Sequence, residues 1–191
     1  MNKSEKIKRY QKQKFENYKK INGLRIRDNE AYIDLKIKDL ESLKNEFSPD
    51  KKTILREEFY DYIERHASYI PLDYPLVLEI HCNSLNSEEK ILLRRLIKSH
   101  FSLEMVSKEM ELNAIKRKTR FFLISGIISF IALYFCYNYN FIPYVDEIVS
   151  FIASFNIWEY AELLIFEQDE LNEEYILKKH LSKIRVVYNK T

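Results

Sequence analysis

Apolar residues dominate one stretch of the chain, Phe121–Phe166, and are interleaved with charge almost everywhere else. The run FFLISGIISFIALYFCYNYNFIPY has no charged side chain, and a second apolar run, IVSFIASFNIW, begins at Ile148. A helix that crosses a bilayer needs about 20 apolar residues. Residues 121–139 and 142–163 therefore predict a two-helix transmembrane hairpin with its turn at Asn138–Pro143. Tyr137, Tyr139 and Tyr144 cluster around that turn, and Trp158 and Tyr160 fall near the far end of the return helix. Amphipathic rings settle at membrane–water interfaces, so these five are the expected interface aromatics.

The flanking sequence has shorter periods. Ala31–Lys38 alternates apolar Ile33, Leu35 and Ile37 with polar Asp34, Lys36 and Lys38, the pattern of a half-buried strand. Thr53–Ser68 reads as an amphipathic helix with Leu55, Phe59, Tyr62, Ile63 and His66 on one face. Pro71 and Pro75 then forbid helix, and Leu76–His81 suits a second strand. Ser87 reads as an N-cap, and no breaker separates Glu88 from Phe121, so that helix either enters the membrane directly or bends near His100–Ser102. After the hairpin, Glu167–Leu181 is a charged helical segment and Lys183–Tyr188 alternates like a strand. A C-terminal strand needs a partner, and Ala31–Lys38 or Leu76–His81 is the simplest. The chain would then leave for the membrane and return to complete one sheet.

The expected fold class is α+β: a small cytosolic sheet of about three strands with helices, plus the hairpin. Its parts are a basic N-terminal arm over 1–30, a cytosolic domain over 31–115, the hairpin over 116–167, and a charged helix and final strand over 168–191. Within the arm, Ile7, Tyr10, Phe15, Tyr18 and Ile21 have roughly helical spacing, which fits a helix on an anionic membrane, a helix docked on its own domain, or a solvated terminus. Asn22–Gly23 is a turn signal.

Net charge is only +2, but its distribution sets topology. Lys116, Arg117, Lys118 and Arg120 precede the first span, the turn has no basic residue, and residues 146–174 carry nine acidic residues. By the positive-inside rule both termini of the two-pass chain are expected to be cytoplasmic. Glu159 and Glu162 are ionisable groups near a span, which marks them as candidates for a proton or cation relay. Matching helix lengths moves them to the depth of Phe121, near Arg117 and Arg120, where ion pairs would tie the two legs together. Ser125/Ser129 and Ser150/Ser154 supply small residues at i, i+4 for close helix packing. The non-membrane alternative is a long core hairpin in a soluble all-α protein.

Catalytic and metal signatures are lacking. Cys82 and Cys136 form no framework, and His66, His81 and His100 have no zinc-type spacing. Ser87–Lys90 matches S-x-x-K only where capping already explains the serine. Asp34 and Asp39 fit paired carboxylates or simply the polar face of a strand. No catalytic residue, cofactor or metal site is assigned. The expected partners are the lipid bilayer, a protein on the cytosolic side and a second copy of the chain; nucleic acid is not expected.

The layout resembles an uncharacterised family of small bacterial two-pass membrane proteins with a cytosolic α/β segment. The stretches that carry the resemblance are YIDLKIKDLESL, IPLDYPLVLEIH, EEKILLRRLIKSHF, RKTRFFLISGIISFIALYF and NIWEYAELLIFEQDEL, and they cover most of residues 31–188. The resemblance implies a multi-pass protein of the plasma (inner) membrane and brings no catalytic residues. The reading that follows is a non-enzymatic membrane-tethered interaction, sensor or scaffold module. Its rivals are a membrane effector or small pore that alters permeability, and a membrane-associated enzyme with its site near Asp34, His81 and Cys82.

Overall fold

A computed structural model describes residues 15–20, 24–49, 52–139 and 144–189. The chain forms two compact units, one of Met1–Met105 with Leu177–Thr191 and one of Val106–Ile176. The fold is α+β.

The first unit is built on a mixed four-stranded sheet in the order β1-β2-β3-β4. The strands are β1 (Arg25–Arg27), β2 (Glu30–Lys36), β3 (Leu76–His81) and β4 (Arg185–Asn189). β1 and β2 form an antiparallel hairpin, whereas β2, β3 and β4 run parallel. The expectation of about three strands is therefore corrected to four. The added strand lies in the segment read as a basic arm, and Asp28 and Asn29 turn it with φ of 48° and 62°. Asx residues tolerate this left-handed region, which a two-residue hairpin turn of the I′ kind requires. The expected return of the C-terminal strand is found: β4 pairs with β3, Val186 opposite Leu78.

Helix α1 (Glu57–Ala67) makes the β2–β3 crossover. It starts later than the periodicity predicts, because Leu55 is held in a bridge to Lys44 and the Arg56 amide donates to Leu43. Asp39–Phe47 contains only a short 3-10 turn, Glu41–Leu43, capped by Asp39. Ala31, Ile33, Leu78, Ile80 and Val186 line the covered face of the sheet. Phe59 and Ile63 of α1 pack there with Leu93, Ile97 and Phe101, all buried. Residues 15–20 are helical, and Phe15 stacks on Tyr74 at 5.5 Å and Tyr18 on Tyr69 at 4.3 Å. This part of the arm thus docks on its own domain. Ile7, Tyr10, Ile21 and the Asn22–Gly23 turn lie outside the described residues.

Helix α2 (Ser87–Tyr139) is continuous over 53 residues and does not bend into separate elements at His100–Ser102. Its cap is Asn86 rather than Ser87. The Asn86 side chain accepts from the Glu89 amide, and Glu89 accepts from the Asn86 amide, a reciprocal capping box. The return leg consists of α3 (Val145–Glu162), a π-helical turn (Leu163–Glu167) and α4 (Gln168–Leu181), with no break between them. Two helices are thus long and apolar enough to cross a membrane.

Within the second unit the legs are antiparallel. Asn156 is buried and donates to Ser129 Oγ at 3.3 Å, and a Cβ on Gly126 would sit 3.6 Å from Asn156. Lys108 bridges to Glu174 at 2.8 Å farther along the pair. Ser129 donates to Ser125 and Ser154 to Ser150 within their own helices. Ser150 and Ser154 are exposed, so Ala153 and Asn156 rather than those serines form the return leg's contact face.

Candidate functional site

Strand alternation fixes the composition of the sheet's second face. Register opposes Asp34 to Glu79 and Lys36 to His81 on adjacent parallel strands. Like charges directly opposite one another are destabilising unless something neutralises them. Arg25, carried in by the β1–β2 hairpin, does this: its guanidinium hydrogen-bonds both carboxylate oxygens of Asp34 and one of Glu79. Asn189 on β4 donates to the other Glu79 oxygen. Every strand thus contributes one group to a single polar network, and His81 Nε2 lies 3.5 Å from Asp34 Oδ1 at its edge. Hydrogen bonding to Asp34 raises the Arg25 pKa above its ordinary high value, against the opposing effect of burial. Glu79 is only 5% exposed, so this pairing compensates a nearly buried charge.

Asp34, Glu79 and His81 offer ligand atoms within 4.8 Å of one another, a spacing compatible with a metal ion. Arg25 and Asn189 nevertheless engage all four carboxylate oxygens. A cation bound there would have to displace the guanidinium, so the donor set as arranged fits an internal ion pair better than a metal centre. Arg25→Ala is expected to destabilise the sheet domain by about 2 kcal/mol, below the usual figure for breaking a buried pair because Arg25 is one-third exposed. Denaturant titration checks this, and adding Glu79→Gln should recover much of the loss.

Of the three residues grouped by the enzyme reading, Asp34 and His81 come together and Cys82 does not. Cys82 is buried, and its thiol donates to the Lys38 carbonyl at 3.3 Å and lies 3.4 Å from Ser84 Oγ. Burial raises its pKa, but hydrogen bonds from Ser84 and Leu85 outweigh that effect and leave it lowered. Asp39 caps its own 3-10 turn instead of pairing with Asp34. Glu79 and Arg25 were missed as partners. The alternation in LVLEIH carries a signal for Glu79, and Asp28–Asn29 carries one for the hairpin that delivers Arg25.

A second ionic cluster joins three helices. Lys178 of α4 is buried and contacts Glu64 of α1 at 2.6 Å and Glu104 of α2 at 2.9 Å. Burial opposes its charge, but hydrogen bonds to the two carboxylates prevail and its pKa is raised. His100 stacks on Tyr60 at 3.5 Å and lies 3.4 Å from Glu104. His66 donates to the Tyr62 carbonyl and His180 to that of Tyr74, each at 2.9 Å. Burial lowers the pKa of all three histidines. The unfolded chain therefore binds protons that the folded chain refuses, so this contribution is present above the unfolded pKa and fades as pH falls. Stability is expected to drop as pH falls from 7 to 5, read from denaturation midpoints.

The residues expected to orient the hairpin, Lys116, Arg117, Lys118 and Arg120, are all exposed. Glu159 is half-buried and Glu162 exposed, and among the described residues neither forms an ion pair with them. Tyr137, Tyr144 and Trp158 are 83%, 71% and 70% exposed, and Tyr160 is half-buried. Tyr139 ends α2, but its side chain lies outside the described residues, as do positions 140–143 of the expected turn.

No protein-family model, no curated protein and no solved structure matches this chain.

Proposed function

We propose that this is a two-pass protein of the plasma (inner) membrane, with both termini and the sheet domain in the cytosol. It serves as a non-enzymatic interaction or sensor module, grouped with the bacterial two-pass proteins its layout resembles. One observation carries the membrane part. Only 6% of the first candidate span's apolar window and 17% of the second's are buried, although both are strongly apolar. A core hairpin of a soluble protein would bury these side chains, whereas Phe121, Ile124, Ile128, Phe151 and Phe155 are all exposed. Such a surface suits hydrocarbon.

The carboxylates of the Arg25 network are already engaged by Arg25 and Asn189, which favours a structural over a catalytic role for them. Helix continuity supports a sensor. α2 runs from buried Leu93, Ile97 and Phe101 into the apolar segment, and the return helix ends at buried Leu181, with no linker in either. A state change in the sheet domain therefore has a helical route to each span.

The test uses tagged full-length protein in detergent-solubilised membranes. A protein partner that the wild type retains while the membrane potential stays intact on overproduction supports the module. Collapse of the membrane potential on overproduction, with no partner retained, contradicts it in favour of a permeability effect.

A further inference from the structure

We propose that Lys116, Arg117, Lys118 and Arg120 form a collar that binds anionic phospholipid headgroups, a proposal that rests on the two-pass reading. Between Lys116 and Arg120 only Thr119 is buried, and its hydroxyl is spent on the Ile115 carbonyl at 2.9 Å. Leu112, Thr119 and Gly126 recur every seven residues as the buried strip of α2, and Gly126 meets the return leg at Asn156. Helical geometry then places Lys116 and Arg120 on one flank of that strip, Lys118 on the other and Arg117 behind it. The four cations surround the open side of the helix.

The facing leg does not neutralise them. The contacts of Ser129 with Asn156 and Lys108 with Glu174 fix an antiparallel register. That register sets Lys116–Arg120 level with Glu162–Phe166. Leu164, Ile165 and Phe166 of the π turn are exposed at this level. Glu162 and Glu167 flank the apolar turn, yet among the described residues neither pairs with the collar. By contrast Lys108, farther along α2, is taken up by Glu111 and Glu174. The first leg thus becomes charged where the return leg is still apolar. Cations beside exposed apolar side chains match a molecule with an anionic head and acyl chains. Guanidinium groups grip phosphate oxygens bidentately, and ammonium groups add point charge. A free anion would gain nothing from Ile165 and Phe166.

The protein carries its own reporter, since Trp158 is the sole tryptophan and is exposed on the return leg near this level. Full-length protein is reconstituted in phosphatidylcholine vesicles that contain brominated phosphatidylglycerol or brominated phosphatidylcholine, and Trp158 quenching is compared. Each cation near an anionic surface favours binding about fivefold, so the wild type should prefer the anionic lipid by about tenfold or more. K116Q/R117Q/K118Q/R120Q should lose that preference while ordinary quenching by brominated phosphatidylcholine persists, and K116R/K118R should keep it. Equal quenching of the wild type by both lipids overturns the collar but leaves the two-pass reading intact. So does a preference that inorganic phosphate abolishes at matched ionic strength, which would mark a soluble-anion site. Absence of quenching by either lipid overturns the two-pass reading and the collar with it.

Discussion

Ending the chain after Ile176 is expected to unfold the sheet domain, although more than 100 residues of that domain's own unit precede the cut. The removed segment contributes β4 and the buried side chains of Leu181, Ile184 and Val186. Burying such a side chain contributes about 2 kcal/mol, and the three together approach the 5–15 kcal/mol that holds a typical domain folded. The cut also strips β3 of its parallel partner along Val77–His81 and leaves Glu64 and Glu104 without Lys178. Hydrogen exchange across Glu30–His81 in the full-length and shortened chains is the direct check. Exchange should become fast throughout the sheet, and retained protection would show that the returning strand is dispensable.

Lys178→Ala should have the largest effect among the ionic side chains. It leaves two carboxylates, each about one-third exposed, facing each other where the buried ammonium stood; breaking a fully buried pair costs about 3–5 kcal/mol, and solvent access to the carboxylates lowers the expected loss to about 2–3 kcal/mol. Restoring neutrality separates charge from packing: Glu64→Gln/Lys178→Met/Glu104→Gln should recover most of the loss, because apolar replacement of a complete buried ion cluster is often tolerated. Alkaline pH should act in the same direction as the substitution. A lysine whose pKa is raised by folding contributes stability that is full below its unfolded value and lost as pH rises through the folded one, so the loss should begin above about pH 10.4. A Lys178→Ala denaturation midpoint equal to that of the wild type would remove the cluster from the stabilising interactions.

Much of this architecture is written locally. Leu76–His81 reads as a strand from its branched residues and is one, and the alternation from Ala31 places Ile33 and Leu35 correctly. The return of the chain to one sheet followed from a lone C-terminal strand that needed a partner. The Arg25 strand was hidden because three residues show no period, and its turn lies in a stretch dominated by charge. The polar network was illegible for a different reason. Asp34, Glu79 and His81 are brought together by strand register, and Arg25 and Asn189 reach them from opposite edges of the sheet. No spacing along the chain encodes register across a crossover. Lys178 was equally hidden, since its partners lie 114 and 74 residues away.

Two-pass topology with both ends in the cytosol is probed by fusing the same pair of reporters to each terminus, one that fluoresces only in the cytosol and one active only outside it, in cells whose membranes are then washed with alkaline carbonate. Cytosolic signal at both termini and full retention of the chain in the washed membrane are expected. An external signal at either terminus, or release of the chain into the wash, would contradict that topology.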